Sequence, residues 1–293
     1  MHFGRTQQQI PDALILPEDR ARTQSFLRYR ESLNGPTPKG NRIYIGAPMW
    51  GCHEWKGVLY PTQLSPRKFL RAYGQSFKTV ECNATFYKSP SPNLVSQWYH
   101  EVPADFRFCP KLPKSISHSK TPWLEKQSID SYCQSIKMLR EKLAATFIQF
   151  PDYVSTRNWD DVKRFLDLLP RDLPWSIELR HESWFEDHMI HDRVINDLYK
   201  RGISVVITDT PGRRDVLHFS LCQPKVIIRF LGQFPSKSDT IRLKSWAERI
   251  TLWQQRGVNE IYLFIHQAKN ISIPDSIHLM ERLLWEREHV NLN

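Results

Sequence analysis

The sequence predicts an α/β protein, a (β/α)8 TIM barrel with an N-terminal extension over residues 1–42. Eight short segments rich in β-branched and aromatic residues alternate with longer segments of helical period. The first and last strand starts lie 217 residues apart, so each step takes about 31 residues, the length of one βα unit. No Gly-x-Gly-x-x-Gly follows a strand, so an open doubly wound sheet is the less favoured architecture.

The N-terminal extension differs from the remaining chain in composition. It contains four prolines, and only residues 18–33 have the character of a helix, which Asn34 and Gly35 would end. The alternation of strands and helices begins at residue 43. We therefore divide the chain into an extension, 1–42, and a barrel domain, 43–293.

The eight predicted strands are short and apolar, as expected for strands buried on both faces of a parallel sheet. They span residues 43–48, 79–86, 106–111, 145–151, 175–180, 204–209, 225–232 and 260–266. A helix between successive strands favours parallel pairing with right-handed crossovers. Eight such units suggest that the sheet closes on itself.

The predicted helices fill the connections between strands, with apolar residues at three- and four-residue spacing. They span residues 65–77, 91–102, 127–143, 158–169, 187–201, 240–256 and 273–287. Ser65 and Ser91 each precede a proline, which is typical of a capped helix start. The sixth connection, 212–223, leaves room for only a brief helix.

The composition is that of an ordinary globular protein, with 40% hydrophobic and 25% charged residues. No apolar run approaches the roughly 18 residues of a membrane span, and the N-terminus lacks a signal-peptide pattern. We therefore predict a cytoplasmic protein with no membrane partner. The five cysteines are odd in number and have no CxxC spacing, so we predict buried free thiols.

The formal net charge is +10, and residues 1–42 account for only +3 of it. The excess positive charge therefore belongs mainly to the barrel domain. Such a surface attracts anions, including nucleic acid and phosphorylated metabolites. The net charge alone is equally consistent with a basic protein that has no anionic partner.

Polar residues stand at the predicted strand ends, where TIM barrels place their functional groups. Residues two apart on a strand share a face, so Glu81 projects with Asn83, and Glu178 with Arg180. Single polar residues near the ends of other strands are Lys111, Gln149, Asp209, Arg229 and His266. These groups form either an ion network that fills the barrel top or a polar pocket for a hydrophilic ligand.

The loops after the strands add aromatic and cationic residues. Trp50, Tyr87 and Trp184 accompany the histidines His118 and His181. Aromatic rings interleaved with cations suit sugars or bases that carry phosphate. The tryptophans could equally pack the loops onto the barrel.

The chain resembles the DUF72 (YecE-like) family in a series of strings that occur in the same order. They are IYIGAPMWGCHEWKGVLYP, VECNATFYKSPSP, FRFCPKLPKSISH, IQFP, IELRHESWF, VITDTPGRRD, IRFLG and IYLFIH. The resemblance covers about residues 42–287 and implies a TIM barrel. It implies no particular reaction, because the family has no assigned activity.

The resemblance also implies which polar positions matter in this sequence. The family's characteristic polar positions correspond to Glu81, Asn83, Lys111, His118, Gln149, Glu178, Arg180, His181, Asp209 and Arg229. The chain departs from the family at Gly46–Trp50, where many members have a Gly-Thr-Ser-Gly-Trp-like start. It departs again at His266 and Gln267, where many members have Asn. The ligand specificity of other members is therefore not carried over.

The first functional hypothesis is an acid/base enzyme, such as a hydrolase, for a phosphorylated or sugar-containing ligand. The candidate catalytic residues are Glu81, Glu178, His118, His181 and Asp209. A carboxyl group in a low-dielectric pocket can have a raised pKa, and histidine can relay protons near neutral pH. The candidate ligand-binding residues are Trp50, Asn83, Tyr87, Lys111, Gln149, Arg180, Trp184, Arg229 and His266.

Two other hypotheses remain open from the sequence. One is a non-catalytic protein that binds nucleic acid or a phosphorylated ligand. The other is a metal-dependent barrel resembling endonucleases or isomerases, a fold-level analogy only. No HxH or HExxH string stands at the strand ends, and Arg180 and Arg229 would repel a cation. We therefore predict neither metal nor cofactor, and the sequence leaves the oligomeric state open.

Overall fold

The computed structural model describes residues 16–34, 42–233 and 236–290, and eight parallel strands within them form a barrel. The strands are β1 (Arg42–Ala47), β2 (Thr79–Cys82), β3 (Arg107–Pro110), β4 (Thr146–Gln149), β5 (Trp175–Glu178), β6 (Ser204–Asp209), β7 (Lys225–Leu231) and β8 (Glu260–His266). Neighbours around the barrel are neighbours in sequence, and β8 pairs with β1. The predicted (β/α)8 fold is confirmed.

The barrel closes between β3 and β4 through few backbone hydrogen bonds. Ala144 N donates to Phe108 O at 2.9 Å, and Leu112 N donates to Phe147 O at 3.0 Å. By contrast, β7 and β8 pair along seven consecutive residues. The β3–β4 contact is therefore a seam in an otherwise well-paired sheet.

Helices surround the barrel, as the apolar periodicity predicts. They are α1 (Ala21–Asn34), α2 (Phe69–Ser76), α3 (Pro92–Glu101), α4 (Lys126–Ile136), α5 (Trp159–Asp167), α6 (Asp192–Arg201), α7 (Lys237–Gln255) and α8 (Ile273–Val290). Ser91 caps α3 by accepting from Leu94 N, whereas the Ser65 side chain makes no cap bond. Between β6 and β7 the chain forms only the short turn Arg214–Val216, as the sixth connection predicts.

Helix α1, part of the predicted extension, lies against the β6–β7 connection and α7. Leu27 is fully buried, and Thr23 Oγ1 donates to Phe219 O at 2.7 Å. Trp253 Nε1 of α7 donates to Asp19 Oδ2 at 2.7 Å, just before the helix begins. The helix thus covers the stretch of barrel wall that has no crossover helix of its own.

Several predicted elements end earlier or begin later than the sequence pattern indicates, among them the second strand and the helix predicted over 187–201. The strand predicted over 79–86 ends at Cys82, because Asn83 adopts a right-handed helical conformation. Thr85 Oγ1 holds the resulting turn, Ala84–Tyr87, by donating to Cys82 O at 2.7 Å. The helix predicted from 187 begins at Asp192, since 185–190 forms a two-stranded ribbon instead.

The barrel interior is packed by side chains that alternate along the strands. The buried residues of this inner core include Tyr44, Cys109, Phe147, Val206, Ile227, Tyr262 and Phe264. Gly46 admits the close approach of β2, because a Cβ there would lie 2.1 Å from Thr79 O. The inner core fixes which residues of each strand reach the upper end of the barrel.

Two predictions from composition can be compared with the structure. All five cysteines are buried and free, as predicted. None of the helices in the described part of the chain is long and apolar enough to cross a membrane.

Candidate functional site

A layer of buried polar side chains closes the upper end of the barrel, above the inner apolar core. We call this layer the mouth network, and its members are Glu81, Lys111, Gln149, Glu178, Arg180, Thr208, Arg229 and His266. Lys111, Gln149, Thr208, Arg229 and His266 have the same parity along the chain as the inner core residues that precede them, so their side chains point inward. Glu81 and Glu178 reach the same layer, as their hydrogen bonds to Arg229 show. The sequence therefore brings together groups that are up to 185 residues apart.

Arg229 joins the two glutamates at the centre of the mouth network. Its Nε donates to Glu81 Oε2 at 3.0 Å, and its Nη2 donates to Glu81 Oε1 at 2.9 Å. Its Nη1 donates to Glu178 Oε2 at 3.1 Å. All three side chains are at most 1% exposed, so this arrangement is a fully buried ion cluster.

Further donors fill the remaining sites on both carboxylates. Glu178 Oε1 accepts from Arg180 Nε and Thr208 Oγ1, each at 2.8 Å. Glu178 Oε2 accepts from Gln149 Nε2 at 2.6 Å. Glu81 Oε1 accepts from Asn83 Nδ2 at 2.7 Å. Buried carboxylates with this many donors are stabilised in the ionised form.

The electrostatics contradict the raised carboxyl pKa values that the sequence hypothesis required. Burial alone would raise the pKa of Glu81, but the charge of Arg229 holds that pKa well below its usual range. Burial likewise opposes the shift at Glu178, where the charges of Arg180 and Arg229 lower the pKa. Both carboxyls stay ionised near neutral pH, so neither can act as a general acid.

Lys111 lies on the other side of Gln149 and is 1% exposed. Its Nζ donates to Gln149 Oε1 at 2.9 Å and lies 3.9 Å from the centre of the Phe86 ring. Burial, reinforced by the charge of Arg229, lowers the pKa of Lys111 to about 7. An ordinary lysine has a pKa near 10.4, so this amine is unusually close to neutrality.

His266 is oriented by the ionised Glu81. Its Nε2 lies 3.0 Å from Glu81 Oε2 and 3.4 Å from Arg229 Nη2. The ionised carboxylate is the nearer partner and can only accept, which assigns the proton to Nε2. Burial lowers the pKa of His266, so the ring is neutral at pH 7 and Nδ1 keeps its lone pair. Among the described residues, Nδ1 has no hydrogen-bond partner, and the atom is open to solvent.

A cavity of about 410 Å³ opens above Glu81 and His266, between the loops after β1, β2 and β8. Its polar wall comprises Glu81, Asn83, His266, Gln267 and Asn270. Asn83 Nδ2 donates to Pro48 O at 3.2 Å and to Glu81. Because both of these partners are acceptors, the orientation of the amide is settled, and Asn83 Oδ1 is left to accept from a ligand.

The rest of the cavity wall is apolar or aromatic. Trp50 packs edge-on against Trp98, with ring centres 5.2 Å apart, and Tyr87 is 80% exposed at the rim. The residues that line the cavity include no lysine or arginine. The cavity therefore combines hydrogen-bond acceptors with aromatic surface, and its wall carries no positive side chain of its own.

Asp209 is not part of the mouth network, contrary to the sequence prediction. Its neighbour Thr208 faces inward, so Asp209 faces outward, toward α7. There its Oδ2 accepts from Trp246 Nε1 at 2.8 Å and from Arg242 Nε at 3.3 Å. Burial opposes ionisation, but the charges of Arg242 and Arg214 lower the pKa of Asp209. This carboxylate fixes α7 to the barrel.

Three other predicted site residues take structural positions in the loops. Trp184 is fully buried and donates to Val154 O at 2.7 Å, so it does not reach the mouth. His181 accepts from Ser183 N at 3.1 Å and starts a short turn. His118 packs edge-on against Phe86, and burial with the charge of Lys111 lowers its pKa to about 4. A group with that pKa is a poor proton relay at pH 7.

Sequence reasoning missed three polar groups near the mouth. Thr208 donates to Glu178, and Gln267 and Asn270 line the cavity. Strand parity could have found Thr208, because it lies two residues after Val206 of the inner core. No local signal marks Asn270, which reaches the cavity only through the path of the β8 loop.

The charged groups at the mouth bind one another and leave no ready set of metal ligands. In the described residues there is no cluster of three or more His, Cys, Asp or Glu side chains placed to hold a metal ion. The two glutamates of the mouth network, Glu81 and Glu178, both bind Arg229. A cation would have to compete with that guanidinium.

Comparison with known proteins places this fold and this sequence in one family. The family described as "Protein of unknown function DUF72" matches residues 44–293. The chain belongs to the DUF72 family. A relative, UPF0759 protein YecE of Escherichia coli O157:H7, is 26% identical over 262 residues, covering 83% of this chain and 92% of that protein.

Solved DUF72 structures share the barrel. A DUF72 family protein from Enterococcus faecalis superposes with a TM-score of 0.69 at 21% identity, covering 83% of this chain and 95% of that one. A second, from Thermotoga maritima, has a TM-score of 0.62 at 24% identity, covering 85% and 99%. At these identities the likeness shows the DUF72 fold, and the chemistry has to be argued from this chain's own residues.

Proposed function

We propose that the protein is an enzyme that binds an uncharged, hydroxyl-rich ligand of the sugar type in the mouth cavity. The observation that carries this proposal is a pair of acceptors, His266 Nδ1 and Asn83 Oδ1, beside the ionised Glu81. Acceptors need donors, and sugar hydroxyls donate, whereas ionised phosphate oxygens only accept. Trp50 and Tyr87 offer aromatic surface to the apolar face of a sugar ring.

The loop after β7 argues against the phosphate part of the sequence hypothesis. TIM barrels often hold phosphate with the loops after strands seven and eight and a nearby helix N-terminus. Here Gln233 N donates to the Asp239 carboxylate at 2.6 Å. A Cβ on Gly232 would lie 2.4 Å from the same carboxylate, so the Asp239 side chain fills the space beside Gly232. The chain's own negative charge occupies this place.

In the proposed reaction His266 acts as the general base. Nδ1 removes a proton from a ligand hydroxyl, and the Nε2 hydrogen bond to Glu81 stabilises the imidazolium that forms. Asn83 Oδ1 orients the ligand by accepting from a second hydroxyl. Glu81 remains ionised throughout, since its pKa stays well below neutrality.

The binding step is tested with matched ligands that differ only in charge. We expect neutral sugars and nucleosides to raise the melting temperature in a thermal-shift screen, and their phosphate esters to do so less or not at all. Saturation at about 100 times Kd stabilises by about 2.7 kcal/mol, a shift of a few degrees. Preferential stabilisation by the phosphate esters would contradict the proposal.

The chemical step is tested with two variants of the cavity. Asn83→Leu removes an acceptor and should weaken binding of a ligand found in that screen, whereas Tyr153→Phe, at an exposed site outside the cavity, should not. His266→Gln keeps a donor for Glu81 but has no basic atom. We expect it to retain binding and to lower turnover, followed by NMR, by about 10²–10⁴-fold.

Nucleic acid is the second candidate partner, favoured by the exposed lysines on the loops after β2 and β3. Lys88, Lys114 and Lys120 are exposed and form no ion pair with a described residue. If these side chains contact phosphates, affinity for an oligonucleotide should fall steeply between 50 and 200 mM salt. Oligonucleotide binding that is unchanged by salt or by Lys114→Gln with Lys120→Gln would exclude this interface.

A further inference from the structure

Lys111 is a buried amine that the proposed reaction at His266 does not use. Its side chain is 1% exposed, and Gln149 Oε1, at 2.9 Å, is its hydrogen-bond acceptor. No carboxylate of a described residue lies within 4.0 Å of Nζ. An ammonium group has three donors, and this one has a single hydrogen-bond acceptor and the face of the Phe86 ring, with no anionic partner.

The surrounding charges also disfavour an ammonium group at this position. Gln149 separates Lys111 from Glu178, because its Nε2 donates to that carboxylate. The two buried glutamates are already balanced by two buried guanidinium groups, Arg180 and Arg229. The nearby histidines, His118 and His266, both have lowered pKa values, so both rings are neutral at pH 7 and leave this balance unchanged. A third cation would therefore be unbalanced.

Phe86 separates the amine from the open mouth. Its ring centre lies 3.9 Å from Lys111 Nζ, and the ring itself is half-buried. Phe86 belongs to the turn Ala84–Tyr87, whose residues Ala84 and Tyr87 line the mouth cavity. A rotation of the Phe86 side chain would thus remove one of the groups that cover Lys111, next to the turn that lines the cavity.

We propose that Lys111 is a nucleophilic amine that condenses with a carbonyl group of a ligand entering the mouth. The Nζ lone pair forms a bond to the carbonyl carbon, and a proton passes from nitrogen to oxygen to give a carbinolamine. Loss of water then gives an imine with Nζ. The reaction needs no co-reactant, and it does not depend on the role proposed for His266.

The protonation state of Lys111 supports this chemistry. With a pKa of about 7, about half of Lys111 is neutral at pH 7, compared with under 0.1% of an ordinary exposed lysine. The neutral amine is the reactive form. Lys111 should therefore react faster than exposed lysines near neutral pH, and this advantage should decline at higher pH, where all lysines become neutral.

The experiment traps the imine in the full-length protein. Glycolaldehyde and sodium cyanoborohydride are added at pH 7, and hydride transfer converts the imine to a stable secondary amine. Peptide mapping by mass spectrometry compares Lys111 with Lys114, an exposed lysine three residues further on. We expect Lys111 to be labelled at least 10-fold faster. Labelling at Lys111 no faster than at Lys114 would overturn the proposal.

Three variants distinguish the reactivity of Lys111 from its accessibility and from the reaction proposed for His266. Phe86→Ala should speed labelling at Lys111 and leave Lys114 unchanged. Gln149→Glu places a carboxylate beside Nζ, favours the ammonium form and should slow labelling at Lys111. His266→Gln should leave labelling intact, so loss of the sugar reaction in that variant bears only on the proposed function. Faster labelling in Gln149→Glu would contradict the assigned role of Lys111.

Discussion

Arg229 holds the mouth network together through contacts with residues of several strands. It is fully buried, and it forms ion pairs with Glu81 and Glu178 on opposite sides of the barrel mouth. Breaking a buried ion pair is costly because the remaining charge keeps its desolvation penalty and loses its partner. The residue is therefore structural, and it also keeps Glu81 ionised for its contact with His266.

We expect Arg229→Met to lower the free energy of unfolding by about 3–5 kcal/mol at pH 7, measured by urea denaturation. The matched control is Arg28→Met on the exposed face of α1, which should change stability by under about 0.5 kcal/mol. Equal effects of the two substitutions would show that the ion cluster contributes no stability.

The pH dependence of this effect follows from the lowered carboxyl pKa values. In the wild type, Glu81 and Glu178 titrate below the unfolded value of about 4.3, so their contribution is complete above that pH and is lost as pH falls through the folded pKa values. Without Arg229 both pKa values would rise, and that of Glu81 would rise most, because Arg180 still faces Glu178. The difference in free energy of unfolding between wild type and Arg229→Met should therefore become smaller from pH 7 to about pH 4. A difference that becomes larger over this range would contradict this account.

At the scale of elements, helix α1 compensates for the short sixth connection. That connection forms only one turn, and α1 packs beside it through the fully buried Leu27 and Thr23. The sequence indicated both the short connection and the helix. It did not indicate that α1 covers the short connection, because their contact joins residues that are 196 positions apart in the chain.

We expect Leu27→Ala to lower the free energy of unfolding by about 2–5 kcal/mol, because it leaves a cavity between α1 and the barrel. Leu33→Ala is the matched control in the same helix, since Leu33 is 57% exposed. Thermal or urea unfolding of both variants measures the difference. If the two substitutions had the same small effect, α1 would not be packed against the barrel as described.

At the scale of the whole molecule, the barrel is unevenly closed. The β7–β8 pair is continuous, whereas the β3–β4 seam depends on the backbone bonds of Leu112 and Ala144. Lys111, which follows β3, itself bridges Phe147 in this seam, and Gln149, which ends β4, lies two residues after Phe147. Opening of the seam would therefore alter the mouth network before it altered the rest of the barrel.

We expect the amides of Leu112 and Ala144 to exchange with solvent deuterium faster than the paired amides of β7 and β8 under native conditions. Hydrogen exchange reports local opening, and poorly paired strands open at lower free energy. Exchange resolved to single amides, by NMR, measures this. Equal protection across the seam and the β7–β8 pair would mean that the barrel opens only by global unfolding.

The sequence by itself determined the barrel, most strand positions and the grouping of Glu81, Lys111, Gln149, Glu178 and Arg229 at one end. These follow from hydrophobic period and strand parity, which are local properties of the chain. The same parity explains why Asp209 faces away from the mouth whereas its neighbour Thr208 faces it. The presence of a polar residue at the end of a strand does not distinguish these two positions.

Only the tertiary structure decided what these groups can do chemically. The charge of Arg229 keeps Glu81 ionised against the effect of burial, and burial lowers the pKa of Lys111. Neither effect can be read from residue type. The cavity likewise depends on the paths of loops after β1, β2 and β8. A pKa depends on desolvation and on charges a few ångströms away, and those distances exist only once the barrel has closed.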